Sequence, residues 1–175
     1  MSNAHNDYFQ LFTLPEQFDI DTKLLEANFR KIQSASHPDR FVSAEATEKL
    51  ASMQLATLSN EAYGTLKNAA RRAKYLLEKH GIDAVADNNT ALPMDFLMQQ
   101  MEWREQLEDA KAAKDIPAMD KLFSQLRAEA KALERELSGL FDDKKDYAAA
   151  TEVTRKLIFI DKVCSDIQQA IEYLD

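Results

Sequence analysis

The chain has 175 residues, 45% of them hydrophobic and 30% charged, with 3 Gly, 4 Pro and a formal net charge of −8. Such a composition suits a packed, largely helical protein and argues against a disordered chain or a turn-rich β protein. The acidic balance gives no general attraction to nucleic acid or to anionic membranes.

The first helical signal runs from Asp7 to Phe12 and stops at Leu14-Pro15, because proline disfavours helical geometry in the residue before it. Asp21 then reads as an N-cap, with Ile20 and Leu25 placed as a hydrophobic staple. Leu25, Phe29 and Ile32 continue at spacings of four and three, which predicts an amphipathic helix over about residues 21–35. Pro38 lacks a backbone donor, so Ser36-His37-Pro38-Asp39 opens a loop over about 36–43. A second long helix is expected from Ala44 to Lys67, with Ala51, Leu55, Leu58, Ala62 and Leu66 on its inner side and enough length to lie antiparallel to the first. A shorter helix, Asn68 to His80, ends at Gly81, a residue suited to the left-handed conformation past a helix end.

The polar, aperiodic stretch from Ile82 to Leu92 marks a boundary. The expected division is residues 1–80, a linker over 81–92, and a second module over 93–175. Beyond the boundary three helices of bundle type are expected. One runs from Pro93 to about Lys114, and Asp115-Ile116-Pro117 opens the next. That second helix carries Met119, Leu122, Leu126, Ala130, Leu133 and Leu137. The third carries Ala149, Val153, Leu157, Ile160, Cys164, Ile167, Ile171 and Leu174, with a turn at Gly139 to Lys145.

One cysteine permits no internal disulfide, and three separated histidines form no ligand cluster, so neither structural metal nor cofactor is expected. No run approaches about 18 apolar residues, and Met1 to Asp7 has no signal-peptide pattern, which makes the cytoplasm the expected compartment. No paired acid and base, and no nucleophile beside an organised base, suggests an enzyme.

His37-Pro38-Asp39 by itself fits a plain proline turn. Its setting adds meaning. Leu25-x-x-x-Phe29-Arg30-Lys31-Ile32 leads into His37-Pro38-Asp39-Arg40-Phe41, followed by Asn60-Glu61-Ala62-Tyr63-x-x-Leu66 and Arg72-Ala73-x-Tyr75-Leu76-Leu77. This series resembles the J-domain over most of residues 7–80. The resemblance implies a helical hairpin whose exposed loop engages a DnaK-type chaperone and stimulates its ATP hydrolysis. His37, Pro38 and Asp39 would transmit the signal, supported by the cations of Lys23, Arg30, Lys31 and Arg40. Arg40 stands where many J-domains have lysine, which keeps the charge.

A helical wheel of residues 94–110 has two apolar sides. Phe96, Trp103, Leu107 and Ala110 share one, and Met94, Met98 and Met101 share another beside Glu102 and Glu105, with Leu97 at the border. A bundle helix can use both sides for packing; methionines are also adaptable at binding surfaces. Phe159 falls away from the stripe of Leu157 and Ile160 and should be exposed unless another element covers it. The series Phe96-Leu97-Met98-x-x-Met101-Glu102-x-Arg104-Glu105-x-Leu107, with Arg155-Lys156-Leu157-x-Phe159-x-Asp161-Lys162 later, resembles the scaffold-binding half of HscB-type J-domain co-chaperones of iron-sulfur cluster assembly. The resemblance implies an all-α protein, a J-domain followed by a three-helix bundle, in which Leu97, Met98, Met101, Glu102, Glu105 and Phe159 receive an IscU-type scaffold protein. The adaptor would bring that scaffold to an HscA-type ATPase chaperone; a J-domain adaptor for a different client is the alternative. Met101 replaces a leucine associated with the family position, a volume-conserving change, and Trp103 is a larger core residue than expected.

Overall fold

The computed structural model describes residues 7–86 and 91–175, and every regular element among them is helical. The chain divides into two compact units, one ending at Tyr75 and the other running from Leu76 to Asp175. The division falls within the helix Ala69–Lys79, α4.

In the first unit α1 (Tyr8–Leu11) is capped by Asp7, whose carboxylate accepts the Phe9 and Gln10 N–H groups. Asp21 does the same for α2 (Thr22–Ala35), taking the Lys23 and Leu24 N–H groups at 3.0 and 3.1 Å. A short 3-10 turn, Pro38–Phe41, leads to α3 (Ala46–Lys67), which packs on α1 and α2. Phe9, Phe12, Phe18, Leu25 and Leu66 are fully buried at their centre. Phe29 stacks on Tyr63 across the α2–α3 pair, with centroids 4.1 Å apart.

The inner side of α3 differs from the sequence expectation. Ser52, Ser59, Ala62 and Leu66 are buried, whereas Ala51 and Leu55 face outward and Leu58 is half-buried. Each buried serine hydroxyl donates to its own helix, Ser52 to the Lys49 carbonyl at 2.8 Å and Ser59 to the Ala56 carbonyl at 3.1 Å. Satisfied locally, these small side chains can be buried without the cost of an orphaned polar group.

Helix α4 (Ala69–Lys79) carries Arg72, buried in spite of its charge. Its guanidinium donates to the Phe18 and Leu66 carbonyls, both at 2.7 Å, and lies 4.6 Å from the Phe18 ring centroid. Gly81, at φ +75°, follows the end of α4 in the left-handed region that glycine adopts at little cost.

In the second unit α5 (Met94–Ala112), α6 (Ile116–Ser138) and α7 (Tyr147–Leu174) form the bundle, with α6 and α7 in the longest contact. Its core is Met119, Leu122, Leu126, Ala130 and Leu137 from α6 with Val153, Leu157, Ile160, Val163 and Ile167 from α7. Ala150 is buried where the sequence pattern favoured Ala149, which is half-buried. The turn after α6 is one of π-helix, Gly139–Asp143. Lys114 and Lys145 have positive φ, and each directly precedes an aspartate cap: Asp115 takes the Ala118 N–H and Asp146 the Ala149 N–H, both at 3.1 Å.

Candidate functional site

The His37-Pro38-Asp39 segment is placed by two local devices. Helix α2 ends at Ser36, whose N–H and hydroxyl both donate to the Ile32 carbonyl, and whose side chain is buried. Pro38 then occupies the first position of the 3-10 turn, where its missing donor costs nothing. His37 caps that turn. Its Nδ1 accepts the Asp39 N–H at 3.2 Å and lies 3.5 Å from an Asp39 carboxylate oxygen. An Nδ1 that accepts the amide leaves the ring proton on Nε2, directed away from the turn. The side chains of His37 and Asp39 remain 55% and 89% exposed, so both are available to a partner.

The cations do not form one tight cluster. Arg40 belongs to the turn, its N–H bonded to the His37 carbonyl at 3.0 Å. Arg30 is exposed and paired with Glu26 at 2.7 Å. Lys31 is exposed in the last turns of α2, and Lys23, in its first turn, stands about 12 Å further along the axis at 1.5 Å per residue.

In the second unit α5 separates its two apolar sides. Trp103, Leu107 and Ala110 are buried against the bundle. On the opposite side Leu97, Met98 and Met101 are 37%, 65% and 72% exposed, continued by Met94 at 70%. Glu102 and Glu105 are exposed beside them, so the face is apolar over its first turns and acidic beyond. Met94 extends this face and was visible in the sequence as part of the methionine side.

Phe159 is not free of packing. Its ring lies 6.1 Å from Phe96 and 6.4 Å from Trp103, and the Arg104 guanidinium sits 5.1 Å from its centroid. The side chain is half-buried because α5 covers the flank of α7 that the sequence left open. It therefore supports α5 from beneath while keeping some surface of its own. The Trp103 indole N–H, buried in this aromatic cluster, has no hydrogen-bond partner among the described residues.

Residues 92–168 match the family model described as the HSCB C-terminal oligomerisation domain. The co-chaperone protein HscB homolog of Ralstonia nicotianae is 47% identical over 175 residues, covering 100% of this chain and 99% of the relative. The chain belongs to the HscB co-chaperone family. Chaperone HscB from Vibrio cholerae superposes with a TM-score of 0.81 at 36% identity, covering 97% of this chain and 99% of that one. Human co-chaperone protein HscB gives 0.81 at 30% identity, covering 93% and 81%. The HscB fold, a J-domain followed by a helical C-terminal domain, accounts for both units, with the turn of His37 in the first and the methionine face of α5 in the second.

As an HscB relative the chain is a co-chaperone. Among the described residues no group of His, Cys, Asp and Glu is arranged to hold a metal ion, and no helix is long and apolar enough to cross a membrane. Cys164 is buried; burial pushes its thiol pKa up, Arg127 pulls the other way and Asp161 adds to the rise. That is the environment of a packing residue rather than of a reactive thiolate.

Proposed function

We propose that this co-chaperone binds an IscU-type iron-sulfur scaffold protein through α5 and delivers it to an HscA-type member of the DnaK chaperones, whose ATPase it stimulates through His37, Pro38 and Asp39. The observation that carries this reading is the outer face of α5. A helix whose inner side is already filled by Trp103, Leu107 and Ala110 keeps Leu97, Met98 and Met101 in solvent, a disposition with no packing purpose inside the unit. Flexible methionines suit a partner surface that must be accommodated, and the carboxylates of Glu102 and Glu105 supply a polar rim.

In the other unit, Asp39 offers a carboxylate to an arginine-type partner, and Pro38 limits the freedom the turn would lose on docking. Lys23, Arg30, Lys31 and Arg40 favour an acidic chaperone surface and act mainly on the rate of encounter. The protein itself breaks no covalent bond in this scheme; hydrolysis belongs to the chaperone. The proposed place of action is the cytoplasm, where an ATP-driven chaperone has its nucleotide.

Steady-state ATPase measurements on an HscA-type chaperone, with and without IscU-type scaffold, test the reading. This protein should raise the rate alone and raise it further with scaffold. Stimulation without any scaffold effect would instead support an adaptor for a different client.

A further inference from the structure

Helix α5 begins without a side-chain cap. Pro93 stands at the cap position and contributes its carbonyl, which accepts the Leu97 N–H at 3.1 Å. Asp95 Oδ1 accepts the Phe96 N–H at 2.9 Å, but the N–H groups of Met94 and Asp95 have no acceptor from a cap side chain, and helix starts of this kind are weakly held. Yet this first stretch carries Met94, Leu97 and Met98, much of the exposed apolar face. Its placement must come from elsewhere in the unit.

Residues 155–159 of α7 supply it. Arg155 donates from Nε to the Ala84 carbonyl at 2.9 Å and from Nη1 to the Ala91 carbonyl at 3.0 Å. Lys156 Nζ lies 5.6 Å from the Phe96 centroid, and Phe159 meets the same ring edge-on. The two aromatic contacts hold a side chain within α5. Arg155 alone of the three takes hold of backbone ahead of the helix, on both sides of residues 87–90.

We propose that Arg155 is a positioning residue for the scaffold-binding face: one guanidinium fork, bonded to the Ala84 and Ala91 carbonyls, fixes where α5 starts and hence the placement of Met94, Leu97 and Met98. The inference rests on the function proposed above for that face. A planar guanidinium presents two donors in fixed relation, whereas a lysine ammonium at the same place is a single point of attachment on a flexible stem. Ordering the start of α5 before the partner arrives removes a cost that would otherwise fall on binding.

The test uses the full chain with Arg155→Gln and Arg155→Lys. Amide hydrogen exchange should quicken at Leu92 and through the first turn of α5, while α6 and the middle of α7 keep their protection. Scaffold affinity, titrated with purified IscU-type protein, should fall about tenfold, the equivalent of one charge-assisted hydrogen bond. The loss should be less than additive with Leu97→Ala, which removes a side chain of the first turns, and additive with Glu105→Gln further along the helix. A purely stabilising arginine would give additive losses with both. Unchanged exchange, unchanged affinity or full rescue by lysine overturns the proposal; should Arg155→Gln not fold, Arg155→Lys carries the same measurements. If Leu97→Ala itself binds scaffold normally, the reading of the α5 face fails, and the exchange data still decide whether Arg155 sets the start of the helix.

Discussion

Phe159 lies against the Trp103 indole, with ring centroids 6.4 Å apart and planes 20° from parallel. One residue thus joins α7 to α5 directly beneath the methionine face. The pairing changes what substitution at Phe159 should do. Phe159→Ala should cost on the order of 2 kcal/mol, less than the about 3–5 kcal/mol of a fully buried phenylalanine because the ring keeps some exposure. Denaturant unfolding measures it, and a loss near zero would mean that the stack contributes nothing to holding α5.

Met98→Ala separates surface from core. Exposed side chains outside any network usually change stability by no more than about 0.5 kcal/mol, whereas Leu126→Ala, at a fully buried position, should cost about 2–5 kcal/mol. Met98→Ala should weaken scaffold binding, read by titration calorimetry, and leave the unfolding midpoint almost unmoved. Comparable destabilisation by the two variants would return Met98 to the core and remove it from the interface.

Joint replacement of His37, Pro38 and Asp39 by alanine should abolish stimulation of the chaperone ATPase while helicity and scaffold affinity stay near their original values. The turn lies outside both cores, and its internal bonds are exposed. ATPase stimulation at the original level in the triple variant would disprove the role given to the turn.

Arg72→Met should destabilise the first unit by about 2–6 kcal/mol, because the carbonyls of Phe18 and Leu66 each lose the guanidinium donor at about 1–3 kcal/mol. Urea unfolding followed by circular dichroism is the measurement. A loss below about 1 kcal/mol would show that neither carbonyl depends on the guanidinium.

The raised thiol pKa of Cys164 gives a pH signature. The folded state holds the thiol proton more tightly than the unfolded chain, so the contribution to stability is complete below the thiol's ordinary range and declines as pH rises through its folded value. Above that range the protein should lose stability more steeply than its Cys164→Ala variant. Native Cys164 should also react slowly with iodoacetamide. Parallel pH curves for the two proteins, together with rapid alkylation, would contradict the burial of the thiol.

Much of this was legible in the chain because local chemistry and tertiary packing agree. Asp21 caps α2 as its position before an apolar run suggests, Gly81 ends α4, and the stripes of α6 and α7 turn inward with few exceptions. The two sides of α5 could be read from periodicity, and the structure separates them into one buried and one exposed. The phase of α3 could not. Hydropathy counts Ser52 and Ser59 as surface residues, although their hydroxyls are satisfied within the helix and allow them inside. Phe159 was rightly placed off the main stripe, but periodicity on one helix says nothing of a neighbour that comes to cover it. Arg155 stands in the series that carries the family resemblance, but its contacts could not be read there: its partners are main-chain carbonyls, and no side chain at Ala84 or Ala91 advertises them.

Trp103 is the chain's one tryptophan, and it is buried in the aromatic cluster under α5 with its indole N–H unbonded among the described residues. Light absorbed selectively by the indole therefore reports on the second unit alone, while tyrosine absorption is spread over both, at Tyr8, Tyr63 and Tyr75 in one and Tyr147 and Tyr173 in the other. An indole buried among apolar side chains emits toward the blue and shifts to the red when it becomes exposed to water. The melting of the bundle can thus be followed in the intact protein by its intrinsic colour, separately from the far-ultraviolet signal of all the helices, with no label attached.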